Sequence, residues 1–520
     1  MPLKACSRHL PMLFALRSNR IRANTAYQAR KDVFDSHRRV VYAHPSESAD
    51  VFLFIGAKNR NPIHLEDLGY GIARPSFEAM RPPPNGNTYE TTAPFCKLTF
   101  RPTSDTIPAF LPLYKSPYFS SISAMNAPAM LIAQSGGPSM VINQSLVGAI
   151  LEARAAEGRI GRILGARHGI DGIDANDFVD LRVPSDEMLE EIARTPSSAL
   201  GSCRRKPNVA ECDTLLDKMI ALGVGYFFYI GGNDSADTTR IIAERAMERN
   251  VSIRVGHIPK TIDCDLLEND HTPGYGSAAR FVACAFRGDD LDNRALGGVK
   301  IDVVMGRDAG FLTAASALAR IRPDDGPHLI YLPEKPFSVD AFCKDVKDAL
   351  ATFGRCVVAV SEGIRDENGR TIAERFATEH DSHGNLQLSG TGALGDYLAR
   401  VVREKTGVKR VRADTFGYLQ RTFPGIASET DSIEARAVGR EAVRYVLSTP
   451  ENTPPATITI RRNPGAKYAV SFVPAPVQAV AKNTRSLPKE FLAPDRPDVT
   501  LDFLQFARPL VGTLPFCQVL

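Results

Sequence analysis

The segment PKTIDCD at 259–265 carries the residues best suited to chemistry. Asp263 and Asp265 stand two apart, with Lys260 and Thr261 just before them. In an extended segment positions i and i+2 face the same side, so the two carboxylates are expected to converge. One such carboxylate can take a proton from a hydroxyl while the other stays near a metal ion. Lys260 offers a compact positive charge to a phosphate. A surface loop with two acids is the plain alternative. Two glycine turns, SGGPS at 135–139 and GGNDS at 231–235, add backbone N–H groups of the kind that face anions. By themselves they fit an ordinary strand-to-helix turn equally well, and Asp234 and Ser235 fit helix capping.

These groups need a scaffold, and the sequence supplies a repeated one. AMLIAQ (129–134), VGYFFYI (224–230), VSIRVGHI (251–258), KIDVVMG (300–306), HLIYLPE (328–334) and CVVAVSEG (356–363) read as short apolar strands. Several run through a glycine-containing turn into helix-like stretches such as NQSLVGAILEARA and SADTTRIIAERAMER. Strand, turn and helix in alternation predict an α/β fold with parallel sheets. In such folds ligands bind outside the carboxyl ends of the strands, where the polar groups gather here.

Composition sets the outer limits. The chain has 520 residues, 43% hydrophobic and 23% charged, as in an ordinary globular protein of about three domains. No apolar run reaches the roughly 18 residues of a membrane span. Nine cysteines without a CxxC pair exclude a disulfide scaffold and the usual structural zinc sites, and predict reduced thiols in the cytoplasm. Residues 1–124 hold 13 of the 36 prolines and a net charge of +7, leaving −3 for the rest. The near-neutral body gives no basis for a nucleic-acid partner. The basic, acid-free start reads as a solvated tail, or as a mitochondrial transit peptide over 1–31. Because regular patterning begins abruptly at Met125, we also expect Met125 to be the native initiator.

In order and spacing, these motifs resemble the phosphofructokinases, most closely their pyrophosphate-dependent branch. The resemblance spans about 129–512 and includes LGSCR (200–204), HTPGYGSAA (271–279), VMGRDAG (304–310), SEG (361–363), GYLQR (417–421) and FARPLVG (506–512). It implies two three-layer parallel-sheet domains with the active site between them. The donor domain would span 125–275 and be completed by about 420–480. The sugar-phosphate domain would span 276–419, with 481–520 packing across. It also implies phosphoryl transfer to the 1-hydroxyl of fructose 6-phosphate, with Mg2+, in a homodimer or larger assembly. Residue by residue, Asp263 matches the general base, Thr261 the neighbour of the transferring phosphate, and Arg204 the arginine on the transferred group. Gly136 and Gly137 match the donor turn. Thr261, Ile262, Asp263, Met305, Gly306, Arg307 and Glu362 match the sugar site. Tyr418, Leu419, Gln420 and Arg421 match the 6-phosphate segment, and Arg412 a 6-phosphate arginine from the neighbouring subunit. The equivalent arginine upstream of MGR is not at its usual place, and Lys300 is the nearby candidate.

Donor choice falls at two positions. ATP-using relatives carry glycine where Asp234 stands and usually where Lys260 stands, whereas the pyrophosphate branch carries Asp and Lys. A carboxylate at 234 takes room and repels charge near a nucleotide's α-phosphate. Pyrophosphate is therefore the expected donor. The alternatives are an ATP-dependent enzyme, one preferring sedoheptulose 7-phosphate, or a non-catalytic sugar-phosphate-binding homologue. Two departures from the family pattern stand out. Asn233 replaces a magnesium-linked Asp, which shifts the expected metal contact toward Asp265. Cys264 replaces an Asn between the two aspartates, and in an extended segment its thiol would point away from Asp263.

Overall fold

The computed structural model describes residues 127–156, 158–375, 392–465 and 467–519, together with the strands β1 (Phe14–Ala15) and β2 (Phe52–Leu53). The chain divides into two units, Met1–Pro117 and Tyr118–Leu520. In the first, β1 and β2 pair antiparallel, Phe14 opposite Leu53. The candidate transit peptide and Met125 otherwise lie outside the described residues.

The second unit is built on two sheets. The larger has seven strands: β3 (Ala129–Gln134), β4 (Ile163–Ala166), β5 (Phe178–Asp180), β6 (Val224–Gly231), β7 (Arg254–Pro259), β12 (Ala456–Arg462) and β13 (Val470–Pro476), in the order β13-β12-β7-β6-β3-β4-β5. Its five central strands are parallel, and β5 and β13 close the edges antiparallel. Successive strand side chains point to opposite faces. Met130, Ile132, Phe228 and Ile230 accordingly pack on the helices Ile142–Ala155 and Glu429–Ser448. Leu131, Ala133, Phe227 and Tyr229 pack on Val209–Ala221 and Asn233–Glu248. Burial on both faces is why these strands read as unbroken apolar runs.

The smaller sheet, ordered β11-β8-β10-β9, is parallel throughout. It joins β8 (Gly298–Val304), β9 (Leu329–Tyr331), β10 (Arg355–Ser361) and β11 (Val411–Thr415). One face packs on the helix Tyr275–Leu296, together with Phe503 and Leu510 of the helix Leu501–Val511. The other packs on Val339–Phe353 and Ala393–Thr406. Each sheet is thus the middle of three layers. The chain returns to the larger sheet after β11, so the strands β12 and β13 complete a sheet begun some 320 residues earlier. Among the described residues no helix is long and apolar enough to cross a membrane.

Candidate active site

The carboxyl ends of β3, β6 and β7 bring three turns together. After β3, Gly136 donates its N–H to Cys203 O at 2.9 Å and adopts φ +73°, a left-handed conformation that suits glycine. A Cβ there would lie 3.2 Å from Lys260 Nζ, and one on Gly137 would lie 2.7 Å from Arg421 Nη1. Glycine at both positions leaves the backbone open beside a row of cations. The turn after β6 is tied to the first by a short hydrogen bond between the hydroxyls of Ser135 and Ser235. After β7, Lys260 donates its backbone N–H to Gly231 O at 2.9 Å and its ammonium to Gly137 O at 2.6 Å. One residue therefore ties the two glycine turns together, by its backbone to one and its side chain to the other. Its pKa is pushed down to about 7 by burial, and then by Arg421 and Arg204.

Thr261 is fixed from the side. Its N–H donates to Pro273 O at 3.2 Å, and the Thr272 hydroxyl donates to Thr261 O at 2.8 Å. The 272–274 segment is braced in turn by Asp431, whose carboxylate accepts from Gly274 N and Ser277 N, both at 2.8 Å. The expected extended run through 263–265 is not found. Cys264 has φ +60°, a left-handed conformation that breaks the extended path. Asn adopts it more readily than Cys because its short polar side chain finds local hydrogen bonds. Asp263 and Asp265 still both line the cleft, because the left-handed residue turns the chain between them. The Cys264 thiol is driven into the core beside Tyr275 and is met by Arg485 Nη2 at 3.2 Å.

That burial, which also raises the thiol pKa, predicts chemical inertness. Alkylation of the native protein, followed by peptide mass spectrometry, is expected to label Cys284 and Cys517 among the described cysteines. It should leave Cys203, Cys212, Cys264, Cys343 and Cys356 unmodified until the chain is unfolded. Labelling of Cys264 at the rate of Cys284 would contradict its placement.

The cleft encloses about 710 Å³. Its floor holds Asp263, whose carboxyl is raised well above the ordinary carboxylate range by burial first, then by Asp265 and Glu362. Asp265 is raised too, chiefly by burial, and its Oδ1 is buried without a hydrogen-bond partner. Met305 and Arg307, after β8, and Glu362, after β10, line the opposite wall with Tyr418 and Arg421. The Arg421 guanidinium stacks over the Tyr418 ring, 4.4 Å from its centroid.

The structure brings together Gly136, Gly137, Arg204, Asn233, Asp234, Lys260, Thr261, Ile262, Asp263, Asp265, Met305, Arg307, Glu362, Tyr418 and Arg421 around this space. Four expected residues lie outside the lining. Gln420 is fully buried and accepts from Met305 N at 3.2 Å, so it shapes the wall from behind. Gly306 makes the turn itself, at φ +129°. Leu419 is exposed, and Arg412 sits on the edge strand β11 with its guanidinium on Val411 O. Lys300, the nearby candidate for the missing arginine, also lies outside the lining. It is held between Asp289 and Asp302, each at 3.4 Å, and Asp414. Asn233 donates its amide to Val480 O at 3.0 Å and Asn483 O at 2.6 Å, tying the C-terminal segment over the donor turns.

Several lining residues escaped the sequence reading. Asp308 lies three residues past Met305, and Thr484 arrives from the far end of the chain with no local signal. Lys206, which lies outside the lining, pairs with Asp234 at 2.9 Å. Its spacing of two from Arg204 was the available clue.

The geometry has close relatives. A profile of the phosphofructokinase family matches residues 129–446. A pyrophosphate--fructose 6-phosphate 1-phosphotransferase of Rhodospirillum rubrum is 53% identical over 385 residues, 74% of this chain and 94% of that protein. One of the same name from Xanthomonas campestris is 38% identical over 391 residues, 74% of this chain and 91% of that protein. The crystal structure of a pyrophosphate-dependent phosphofructokinase from Nitrosospira multiformis superposes with a TM-score of 0.65 at 32% identity, covering 75% of this chain and 94% of that one. With two sheets of parallel central strands, glycine turns at their carboxyl ends and a matching profile over more than half its length, this chain belongs to the phosphofructokinase family.

Proposed function

We propose that the protein reversibly transfers a phosphoryl group from pyrophosphate to the 1-hydroxyl of fructose 6-phosphate, giving fructose 1,6-bisphosphate and phosphate. The observation that carries this reading is the Lys260 ammonium, buried against the first glycine turn in a cleft that Asp234 also lines. A short, densely charged diphosphate can meet such a cation without any contact to a base or ribose. The relatives named for this reaction support it.

Asp263 accepts the proton of the 1-hydroxyl as that oxygen attacks the terminal phosphorus. The new O–P bond forms, the bridging P–O bond breaks, and inorganic phosphate departs. A carboxyl raised above the usual range is a stronger base than an exposed aspartate, which suits this task. Arg204, beside Gly137, stabilises charge on the transferred group, and Arg421 holds the 6-phosphate. Met305, Arg307, Glu362 and Tyr418 form the sugar wall, with 302–307 and 417–421 braced by Gln420. Arg412 is assigned to the neighbouring subunit's 6-phosphate in a homo-oligomer. The 125–275 segment with 420–480 is assigned to the donor, 276–419 to the sugar, and the protein to the cytoplasm, where free thiols persist.

A magnesium ion fits the residues present. The unpartnered Oδ1 of Asp265 supplies a buried, hard oxygen ligand, whereas Asn233 uses its amide on backbone carbonyls. Asp265 would therefore hold the ion, and when bound it supplies positive charge to the donor's oxygens. The test of the reading is turnover of purified protein with fructose 6-phosphate, magnesium and either donor. Fructose 1,6-bisphosphate is expected with pyrophosphate and not with ATP. Turnover with ATP alone would refute the assignment.

A further inference from the structure

Asp234 raises a charge problem within the donor site. A carboxylate that repels a nucleotide's phosphates also repels pyrophosphate, which carries its charge in a smaller volume. The side chain is not bare, however. Lys206 Nζ donates to Asp234 Oδ1 at 2.9 Å and lies 3.6 Å from Asp237 Oδ2. Asp237 has other cations, Arg240 at 2.9 Å and Lys482 at 3.8 Å. Among the described residues, Lys206 is the one cation in an ion pair with Asp234. The pair is half-exposed, 43% for the Lys206 side chain and 57% for that of Asp234, and of the two Asp234 lines the cleft. Lys206 sits on the same irregular segment as Arg204, between Cys203 O, which anchors Gly136, and Asn208, which caps the helix Val209–Ala221. Its backbone is thereby held at both ends. The hydrogen bond to Asp234 raises the Lys206 pKa, so the ammonium stays charged across the neutral range.

We propose that Lys206 is the counter-ion that lets Asp234 stand in the donor site, cancelling the carboxylate's field so that Asp234 excludes a nucleotide by occupying space while pyrophosphate is not repelled. This rests on the pyrophosphate reading above. Lys206 is then a positioning residue that acts through Asp234, not a contact to the donor.

A double-mutant cycle on the full chain separates the two roles. Wild type, Lys206→Met, Asp234→Asn and the double variant are compared at low ionic strength, with pyrophosphate varied and fructose 6-phosphate and magnesium saturating. Lys206→Met is expected to raise the KM for pyrophosphate about fivefold, the scale of one exposed charge pair. Its kcat and its KM for fructose 6-phosphate should stay near wild type, which also reports that the fold is intact. Adding Asp234→Asn should return the pyrophosphate KM to near the wild-type value, because no bare carboxylate remains. A double variant as weak as Lys206→Met would mean direct contact with the donor and would overturn the proposal. So would an unchanged KM in Lys206→Met. Wild-type turnover with ATP and none with pyrophosphate sinks the donor reading and this proposal together. A pyrophosphate-using wild type whose variants break the pattern sinks only the counter-ion role.

Discussion

Asp263→Asn is expected to lower kcat by about 10²- to 10⁴-fold, the range of general-base removal. The substitution keeps the shape of the side chain and removes its capacity to take a proton. The surrounding turn should persist, because Thr261 and Cys264 are held by Pro273, Thr272 and Arg485 rather than by the Asp263 carboxylate. The KM for fructose 6-phosphate should therefore move little. The pH profile gives a second readout. Asp263 must be ionised to work, and burial with Asp265 and Glu362 raises its pKa. Activity of the wild type should consequently fall on acidification, at a higher pH than an exposed aspartate would give. The residual rate of the variant should lack that limb. Near-normal kcat in Asp263→Asn, measured by steady-state assay, would remove Asp263 from the base role.

The second large effect concerns the donor. In Asp234→Gly with Lys260→Gly, the preference for pyrophosphate over ATP should fall by about 10²-fold or more, as expected for losing a buried charge-assisted contact. The structural reason is local. Lys260 Nζ sits against Gly136 and the Gly137 carbonyl, and Asp234 lines the same cleft. Removing both clears the space that a nucleotide's inner phosphates would need, and it withdraws the cation that a diphosphate would use. Turnover with ATP should become measurable while kcat/KM for pyrophosphate drops. An unaltered ratio would show that other residues decide the donor.

Much of this was legible in the chain. The strands read as apolar runs because both faces of each sheet are covered by helices, which removes the alternation of a half-exposed sheet. The turns at 135–139, 231–235 and 259–265 stood out because glycine, lysine and paired acids follow those runs directly. The error at Cys264 was also local in origin. Spacing of two implies a shared face only while the backbone stays extended, and the left-handed residue cancels that premise. Gly306 and Gln420 belong to motifs expected to meet the sugar phosphate, but a motif names positions without saying how each one acts. In the fold one makes a turn and the other braces Met305.

Asp431 and Asn233 show the other limit. Asp431 lies 157 residues from the Gly274 N–H it accepts, and Asn233 reaches 250 residues to Asn483. No pattern along the chain announces such pairs, because they depend on where the β12–β13 return and the C-terminal segment come to rest. The sequence alone determined the candidate reacting groups, the turns that carry them and the layered α/β scaffold, since each follows from residues adjacent in the chain. Only the tertiary structure decided which of those groups share one cleft, which serve as braces, and that Asp234 carries a counter-ion. Burial, charge pairing and shifted proton affinity arise from neighbours in space, and those neighbours come from distant parts of the chain.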